Sequence, residues 1–329
     1  MPMSVQKNPA HQENIVALAG GVGASKLLLG LSRAMNPRKL TIIVNTGDDI
    51  VLHGLSISPD LDIVTYTLAG AVNSKSGWGL RGDTFTSLGI LRHYGREDWF
   101  NLGDRDLGTH IHRTALLREG ATLTEATDAI RRAWGVEARI LPMTDQPVPT
   151  LIRTKVGVMH FQEYLVKHRT RFAVREIIID GAENARPAPG VLESIAAAKG
   201  IVVCPSNPLI SIGPILAVPG VREALRNRRK CVLAVCPIVG GESLKGPSDK
   251  MMKQLGHEVS ALGVARLYSD FAGTLMIDAE DAAQRPAIET LGMHVVVRST
   301  RMCTSADKKR LARAVLGVLQ KRALAGKGS

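Results

Sequence analysis

Ile15 to Ala19 is a short unbroken apolar run, a glycine-rich turn follows, and leucines then recur at helical spacing from Lys26 to Met35; the pattern reads as strand, turn and helix. Leu40 to Val44 is a second such strand. From there to about Leu141 the periodicity is mainly helical, and one amphipathic segment opens at Thr122, is capped by Thr124 and Glu125, and closes at Gly135. This predicts a helical insert over about 63–141. Leu151 to Asp180 carries short alternating runs around a turn at Lys155 to Gly157, the pattern of a small antiparallel extension. Beyond Gly190 strand and helix alternate again: Gly200 to Cys204, a helical run near Val221 to Asn227, Cys231 to Val235, a run near Met251, Leu275 to Ile277, and His294 to Val297. That rhythm implies an α/β fold, Rossmann-like, with a mostly parallel sheet covered by helices on both faces. Ser305 to Leu324 closes the chain as an amphipathic helix rich in Lys and Arg, whose basic side reads as a solvated face. The expected organisation is a flexible N-terminus over 1–13 and one domain over 14–329.

Composition narrows the partners. With 45% hydrophobic residues in 329, the chain can bury a large core without disulfides. Its four cysteines form no C-x-x-C pair and read as thiols in a reducing compartment. The stretch Met1 to Glu13 is polar, without a signal-peptide core, and no apolar run approaches a membrane span, so the expectation is a cytoplasmic protein with no membrane partner. A formal charge of +12 favours anionic ligands. Only 4% of residues are aromatic and no zinc-finger spacing occurs, which sets nucleic acid aside in favour of a small polyanionic substrate. A homodimer is the default for a cytoplasmic enzyme of this size.

Four stretches carry candidate chemistry. Gly20-Gly21-Val22-Gly23-Ala24-Ser25 follows a buried strand and opens a helix, where backbone N–H groups can meet a phosphate. It lacks the P-loop pattern, and the third glycine of a dinucleotide fingerprint falls on Lys26, so a nicotinamide oxidoreductase is a minor alternative. Asn45-Thr46-Gly47-Asp48-Asp49 ends the second strand, and Ser58-Pro59-Asp60-Leu61-Asp62 follows. These four carboxylates within fifteen positions stand where open α/β sheets bind ligands, and suit Mg²⁺ shared with substrate phosphates. Individually they could be caps, with Asp62 capping a helix that begins near Ile63. Gly103-Asp104-Arg105-Asp106 precedes a helical face bearing Thr109, His110 and Arg113, either a ligand site or a salt-bridge network. Pro205-Ser206-Asn207-Pro208 and Ser211-Ile212-Gly213-Pro214 read as a rigid loop at a strand end, an ordinary turn or a base- or phosphate-binding loop.

Taken in order, together with Trp78-Gly79, Leu102, Thr109-His110 and His160-Phe161-Gln162, these stretches resemble the 2-phospho-L-lactate transferase family, which builds the deazaflavin coenzyme F(420); the likeness runs from Ile15 over nearly the whole chain. A sister family of nucleotide-sugar-binding regulatory proteins shares the opening loop and the acidic strand end, but not Pro59 to Asp62 or Gly103 to Asp106. The resemblance implies a guanosine diphosphate-linked donor of a phosphorylated hydroxy acid (phospholactate, phosphoenolpyruvate or phosphoglycerate), the deazaflavin alcohol Fo as acceptor, GMP as leaving group and Mg²⁺ as cofactor. Carried onto this chain, it assigns catalysis to Asp49, Asp62 and Arg105 and metal binding to Asp49, Asp60 and Asp62. Substrate contact falls to Gly20, Gly21, Gly23, Ser25, Lys26 and Asn45, with Asp104 and His110 supporting Arg105, and with guanosine held at Ser206, Asn207, Ser211 and Gly213.

Overall fold

The computed structural model describes residues 14–73, 76–244 and 246–325. The expected flexible segment 1–13 lies outside the described residues. Seven parallel strands form the central sheet: β1 (Ile15–Ala19), β2 (Leu40–Val44), β3 (Arg139–Pro142), β4 (Gly200–Val203), β5 (Val232–Val235), β6 (Thr274–Ile277) and β7 (His294–Val297). Their spatial order is β7-β6-β5-β4-β1-β2-β3, with every neighbouring pair parallel. The chain winds outward from β1 to β3, then crosses to β4 on the other side of β1. The crevice beyond the carboxyl ends of β1 and β4 is therefore a topological switch point.

Strands buried on both faces need apolar residues at consecutive positions, and alternate side chains serve different cores. On β1, Ala17 and Ala19 pack with Leu27, Leu28 and Leu31 of helix α1 (Gly21–Ala34) and with Leu311, Val315 and Leu319 of the C-terminal helix (Ser305–Ala325). Val16 and Leu18 face the opposite core with Ile195, Ile215, Leu225 and Val264. The C-terminal helix thus contributes an apolar stripe to the core, while Lys309, Arg310 and Arg313 stay exposed.

Between β2 and β3 lie a hairpin (Ile50–Leu52 with Leu55–Ile57) and helices α2 (Pro59–Leu68), α3 (Thr86–His93), α4 (Asp104–Arg118) and α5 (Leu123–Ala133). The capping box of Thr122 and Glu125 starts α5, and Gly135 follows its end at φ 68°. Helix α2 begins earlier than the periodicity suggests, because Pro59 sits in its first turn behind Ser58. Asp62 therefore lies inside the helix and is not the cap expected from a start near Ile63.

Thr150–Thr154 pairs antiparallel with Gly157–His160 and with Glu176–Ile179 to give the small extension. Its apolar side, with Ile152, Phe161, Tyr164 and Val174, packs on Ile210 and Met251. The prolines of the stretch after β4 start helical turns rather than stiffening a loop: Asn207 Oδ1 accepts from the N–H groups of Leu209 and Ile210, and the chain runs as a π-turn over Pro208–Ile212 into a helix at Gly213–Ala217. A helix at Ala261–Tyr268, begun by Ser260, also escapes the sequence pattern. Among the described residues no single helix is long and apolar enough to cross a membrane; the bent pair Pro208–Ala217 and Val221–Asn227 passes by length and composition, and supplies Ile212, Ile215, Val221 and Leu225 to the core.

Candidate active site

The switch-point crevice is closed by two backbones that touch. A Cβ on Gly23 would stand 2.6 Å from the Pro205 carbonyl oxygen, and one on Gly20 would stand 2.7 Å from Ser211 Cβ and 2.8 Å from Asp60 Oδ2. Only glycine admits this approach. Gly20 N–H donates to Ser206 Oγ (3.2 Å) and Ser206 Oγ donates to the Gly20 carbonyl (2.9 Å), so the loops after β1 and β4 are fastened together. Helix α1 opens here with no acidic residue in its first turn, leaving its N-terminal dipole uncompensated by its own side chains.

Facing it are carboxylates from the ends of β2 and α2. Asn45 Nδ2 donates to Asp48 Oδ1 and to Asp60 Oδ2, both at 2.9 Å, while Asn45 Oδ1 accepts from Gly47 N–H. The second oxygen of Asp48 accepts from Gln162 Nε2 at 2.9 Å. Ser58 Oγ donates to Asp49 Oδ2 (2.7 Å), whereas Asp49 Oδ1 is buried without a partner. Burial raises the carboxyl groups of Asp48 and Asp49, and the charge of Asp60 raises both further. Burial also lifts Asp60 to about 6, against the hydrogen bonds donated by Asn45 and the Gly21 N–H.

Deeper in the insert, Arg113 of α4 is fully buried and clamps Asp62, one nitrogen to each carboxylate oxygen. Burial opposes its charge, but Asp62 more than offsets this and holds the guanidinium above its ordinary range. His110 stands between two acids, with Nδ1 3.6 Å from Asp62 Oδ2 and Nε2 3.4 Å from Asp106 Oδ2. Tyr66 donates to the other oxygen of Asp106 at 2.6 Å. Its phenol is pushed far up, first by burial and then by the charges of Asp62 and Asp106.

These elements enclose a cavity of about 550 Å³, the scale of a small-molecule site. Of the expected residues, Gly20, Gly21, Gly23, Lys26, Asp60, Asp62, His110, Ser206, Asn207 and Ser211 line it. Others do not. Ser25 turns its hydroxyl onto the Val22 carbonyl, Asn45 is saturated by the acid loop, and Gly213 lies in helical backbone behind the π-turn. Asp49, half-buried and accepting from Ser58 Oγ, is not among the lining residues. Asp104 accepts from the N–H groups of Thr86 and Ser87 and so caps α3; the Thr84 hydroxyl and these N–H groups hold its carboxyl far below the usual range. Arg105 is exposed and donates to the Arg81 carbonyl (2.7 Å). The cavity instead recruits Asp48, Tyr66, Asp106 and Gln162, with Trp78, Phe100 and Phe161 on its walls. The stretches Trp78-Gly79 and His160-Phe161-Gln162 signal part of this set in sequence; Tyr66 carries no such signal.

Among the described residues no three His, Cys, Asp or Glu side chains converge as a self-contained metal site. The donor set fits a hard cation only in the manner of Mg²⁺, which takes one or two carboxylates and completes its shell with water and phosphate. Asp49, with its unpartnered oxygen, and Asp60, on the cavity wall, meet that requirement. Asp62 does not, because Arg113 engages both its oxygens.

A doubly wound sheet with a glycine-opened helix and a carboxylate group at its switch point defines a Rossmann-like protein built around a small-ligand site. The chain belongs to the 2-phospho-L-lactate transferase family: the family model described as 2-phospho-L-lactate transferase CofD matches residues 15–314. It is thus an enzyme of a transferase family. It is 40% identical over 302 residues to the 2-phospho-L-lactate transferase of Methanosarcina mazei, covering 92% of this chain and 99% of that one. It is 44% identical over 285 residues to the phosphoenolpyruvate transferase of Streptomyces griseus, covering 85% and 90%. Among solved structures, a Bacillus halodurans protein superposes with a TM-score of 0.61 at 16% identity, over 92% of this chain and 99% of that chain, which speaks for the fold alone.

Proposed function

We propose that the protein transfers a phosphorylated hydroxy-acid moiety from a guanosine diphosphate-linked donor to the terminal ribityl hydroxyl of Fo, releasing GMP, in the biosynthesis of coenzyme F(420). The observation that carries this reading is the pair of buried carboxylates Asp48 and Asp60, next in chain and space to Asp49, lining one cavity together with the N-terminus of α1, whose Gly21 N–H donates to Asp60. The acceptor oxygen forms a bond to the phosphorus that bears the acid, the bridging P–O bond to GMP breaks with its electron pair, and the hydroxyl proton passes to a carboxylate of the group. Such a displacement asks the protein for positioning and charge stabilisation more than covalent help. The N–H groups of Val22 and Gly23 and the ammonium of Lys26 face the diphosphate, and the Ser206–Asn207 turn with Ser211 bounds the nucleoside. Mg²⁺ on Asp49 and Asp60, when bound, supplies neutralisation of the phosphoryl oxygens. Arg113 and His110 hold Asp62 and Asp106 and so fix α2 against α4. The names of the relatives, one a phospholactate and one a phosphoenolpyruvate enzyme, leave the acid open among phospholactate, phosphoenolpyruvate and phosphoglycerate.

Incubation with Fo, Mg²⁺ and each guanylylated donor, followed by mass spectrometry, tests this directly. GMP and a phosphodiester-linked deazaflavin are expected from one donor above the others. Stabilisation by nucleotide with no product from any donor overturns the reading.

A further inference from the structure

The antiparallel extension is bolted to the acid loop. Thr150 N–H donates to the Gly47 carbonyl at 2.7 Å, and Gln162 Nε2 reaches Asp48 Oδ2 at 2.9 Å across 114 residues of sequence. Gln162 is itself held, its N–H donating to His160 Nδ1 (3.1 Å), and the neighbouring Phe161 is anchored in the core with Tyr164 and Met251. From the other side, Asn45 ties Asp48 to Asp60. Two buried carboxylates are thus kept together by carboxamides, which stabilise negative charge without cancelling it. Without the donor on Gln162, one oxygen of Asp48 is left buried and unpaired, and the loop that carries Asp49 keeps the backbone bond from Thr150 to Gly47 as its link to the extension.

We propose that Gln162 is a positioning residue of the transferase site: through Asp48 it fixes the loop presenting Asp49 and the spacing to Asp60, and so governs cation binding and the chemical step rather than substrate affinity. This rests on the function proposed above. Outer hydrogen-bond partners of this kind typically contribute about 10–100-fold in metal affinity or activity.

The test compares the full-length protein with Gln162→Leu, which keeps bulk without a donor, and Gln162→Glu, which keeps shape but adds a carboxylate. Three quantities are read: Mn²⁺ binding by electron paramagnetic resonance, amide hydrogen exchange over residues 45–57 in the metal-free protein, and turnover with Fo and the active donor. For Gln162→Leu the expectation is Mn²⁺ binding weakened about 10-fold or more, faster exchange in the loop, and kcat lowered about 10–100-fold with both KM values within about threefold. Gln162→Glu should lose more turnover than Gln162→Leu. Unchanged Mn²⁺ affinity and loop exchange in Gln162→Leu, or wild-type kcat in Gln162→Glu, overturns the proposal. If the wild-type protein binds Mn²⁺ but makes no product, the proposed reaction fails while the Mn²⁺ and exchange comparisons still decide the role of Gln162; a wild-type protein that neither binds Mn²⁺ nor turns over overturns both.

Discussion

Replacing Asp60 by asparagine should make the metal-free protein more stable and the enzyme inactive. Asp60 is buried, and its carboxyl is lifted from 3.8 to about 6. A folded-state pKa above the unfolded value means that the contribution of the protonated group is full below about pH 4 and is lost as pH rises through about 6. Two pKa units correspond to about 3 kcal/mol, the penalty the folded state carries at pH 8, where Asp60 is ionised in both states. In Asp60→Asn the new carboxamide would still present an oxygen to the Asn45 amide but carry no charge, so this penalty vanishes. For a chain of this length, about 3 kcal/mol amounts to roughly 4 °C in Tm. Linkage makes the gain pH-dependent: about half of it remains near pH 5, and little at pH 4. Thermal unfolding of both proteins in EDTA from pH 4.5 to 8 reads it, alongside turnover per folded molecule. A variant no more stable than wild type at pH 8, or a gain that does not shrink on acidification, refutes the reasoning.

Asp62→Asn should behave oppositely: it strands the buried Arg113 guanidinium, and breaking a buried pair costs about 3–5 kcal/mol. Thermal melts should show the loss, and the double change Asp62→Asn with Arg113→Met should restore part of it; equal stability of single variant and wild type counts against the pair. Gly23→Ala places a methyl 2.6 Å from the Pro205 carbonyl oxygen, so the loop after β4 must shift; donor KM should rise about 10-fold or more, and unchanged kinetics would show the contact to be slack. Arg105 is exposed and engages the Arg81 carbonyl, so Arg105→Lys should leave kcat/KM within about threefold, and a larger fall would place it on substrate. GDP should bind about 10-fold tighter in Mg²⁺ than in EDTA by calorimetry, and equal affinities would count against Asp49 and Asp60 as cation ligands.

Much of the fold is legible because its signal is local. Strands such as Ile15–Ala19 and Leu40–Val44 are buried on both faces, so nearly every position must be apolar, and the leucines of α1 repeat at the helical period. The site is legible where glycine contacts or clustered acids must occur together in sequence, as at Gly20 to Gly23 and Asp48 to Asp62. What escapes is set by contacts between distant segments. Asp62 reads as a metal ligand until Arg113, 51 residues on, is found on both its oxygens. Asp48 reads as one acid among four until Gln162 closes on it from the extension. Arg105 carries a charge that suits phosphate, with Asp104 as its expected support, yet Asp104 is consumed in capping α3 and Arg105 engages the Arg81 carbonyl. Proline misleads at Pro208 and Pro214, where it initiates helical turns rather than stiffening a loop.

The electrostatics of the cavity explain why a basic protein keeps an acidic site. The formal charge of +12 lies over the chain as a whole and draws anions toward it. Inside, Asp62 has a permanent counter-charge in Arg113, but Asp48 and Asp60 are held by carboxamides and Asp49 by a hydroxyl, all donors that leave the charge in place. Burial raises the carboxyl groups of Asp48, Asp49 and Asp60, and the charge of Asp60 adds to the rise at Asp48 and Asp49. A diphosphate entering the same cavity adds further negative charge beside the acids, because Asp60 already accepts from the Gly21 N–H at the start of α1 and Lys26 lines the same cavity. Under the proposed function the acids therefore cannot serve the nucleotide directly. On that reading the penalty of their charge at neutral pH would be relieved by a cation, retained best when phosphate completes its shell. Donor and cation would then bind as one unit, and the carboxamide clamp on Asp48 and Asp60 would keep these carboxylates in place between turnovers.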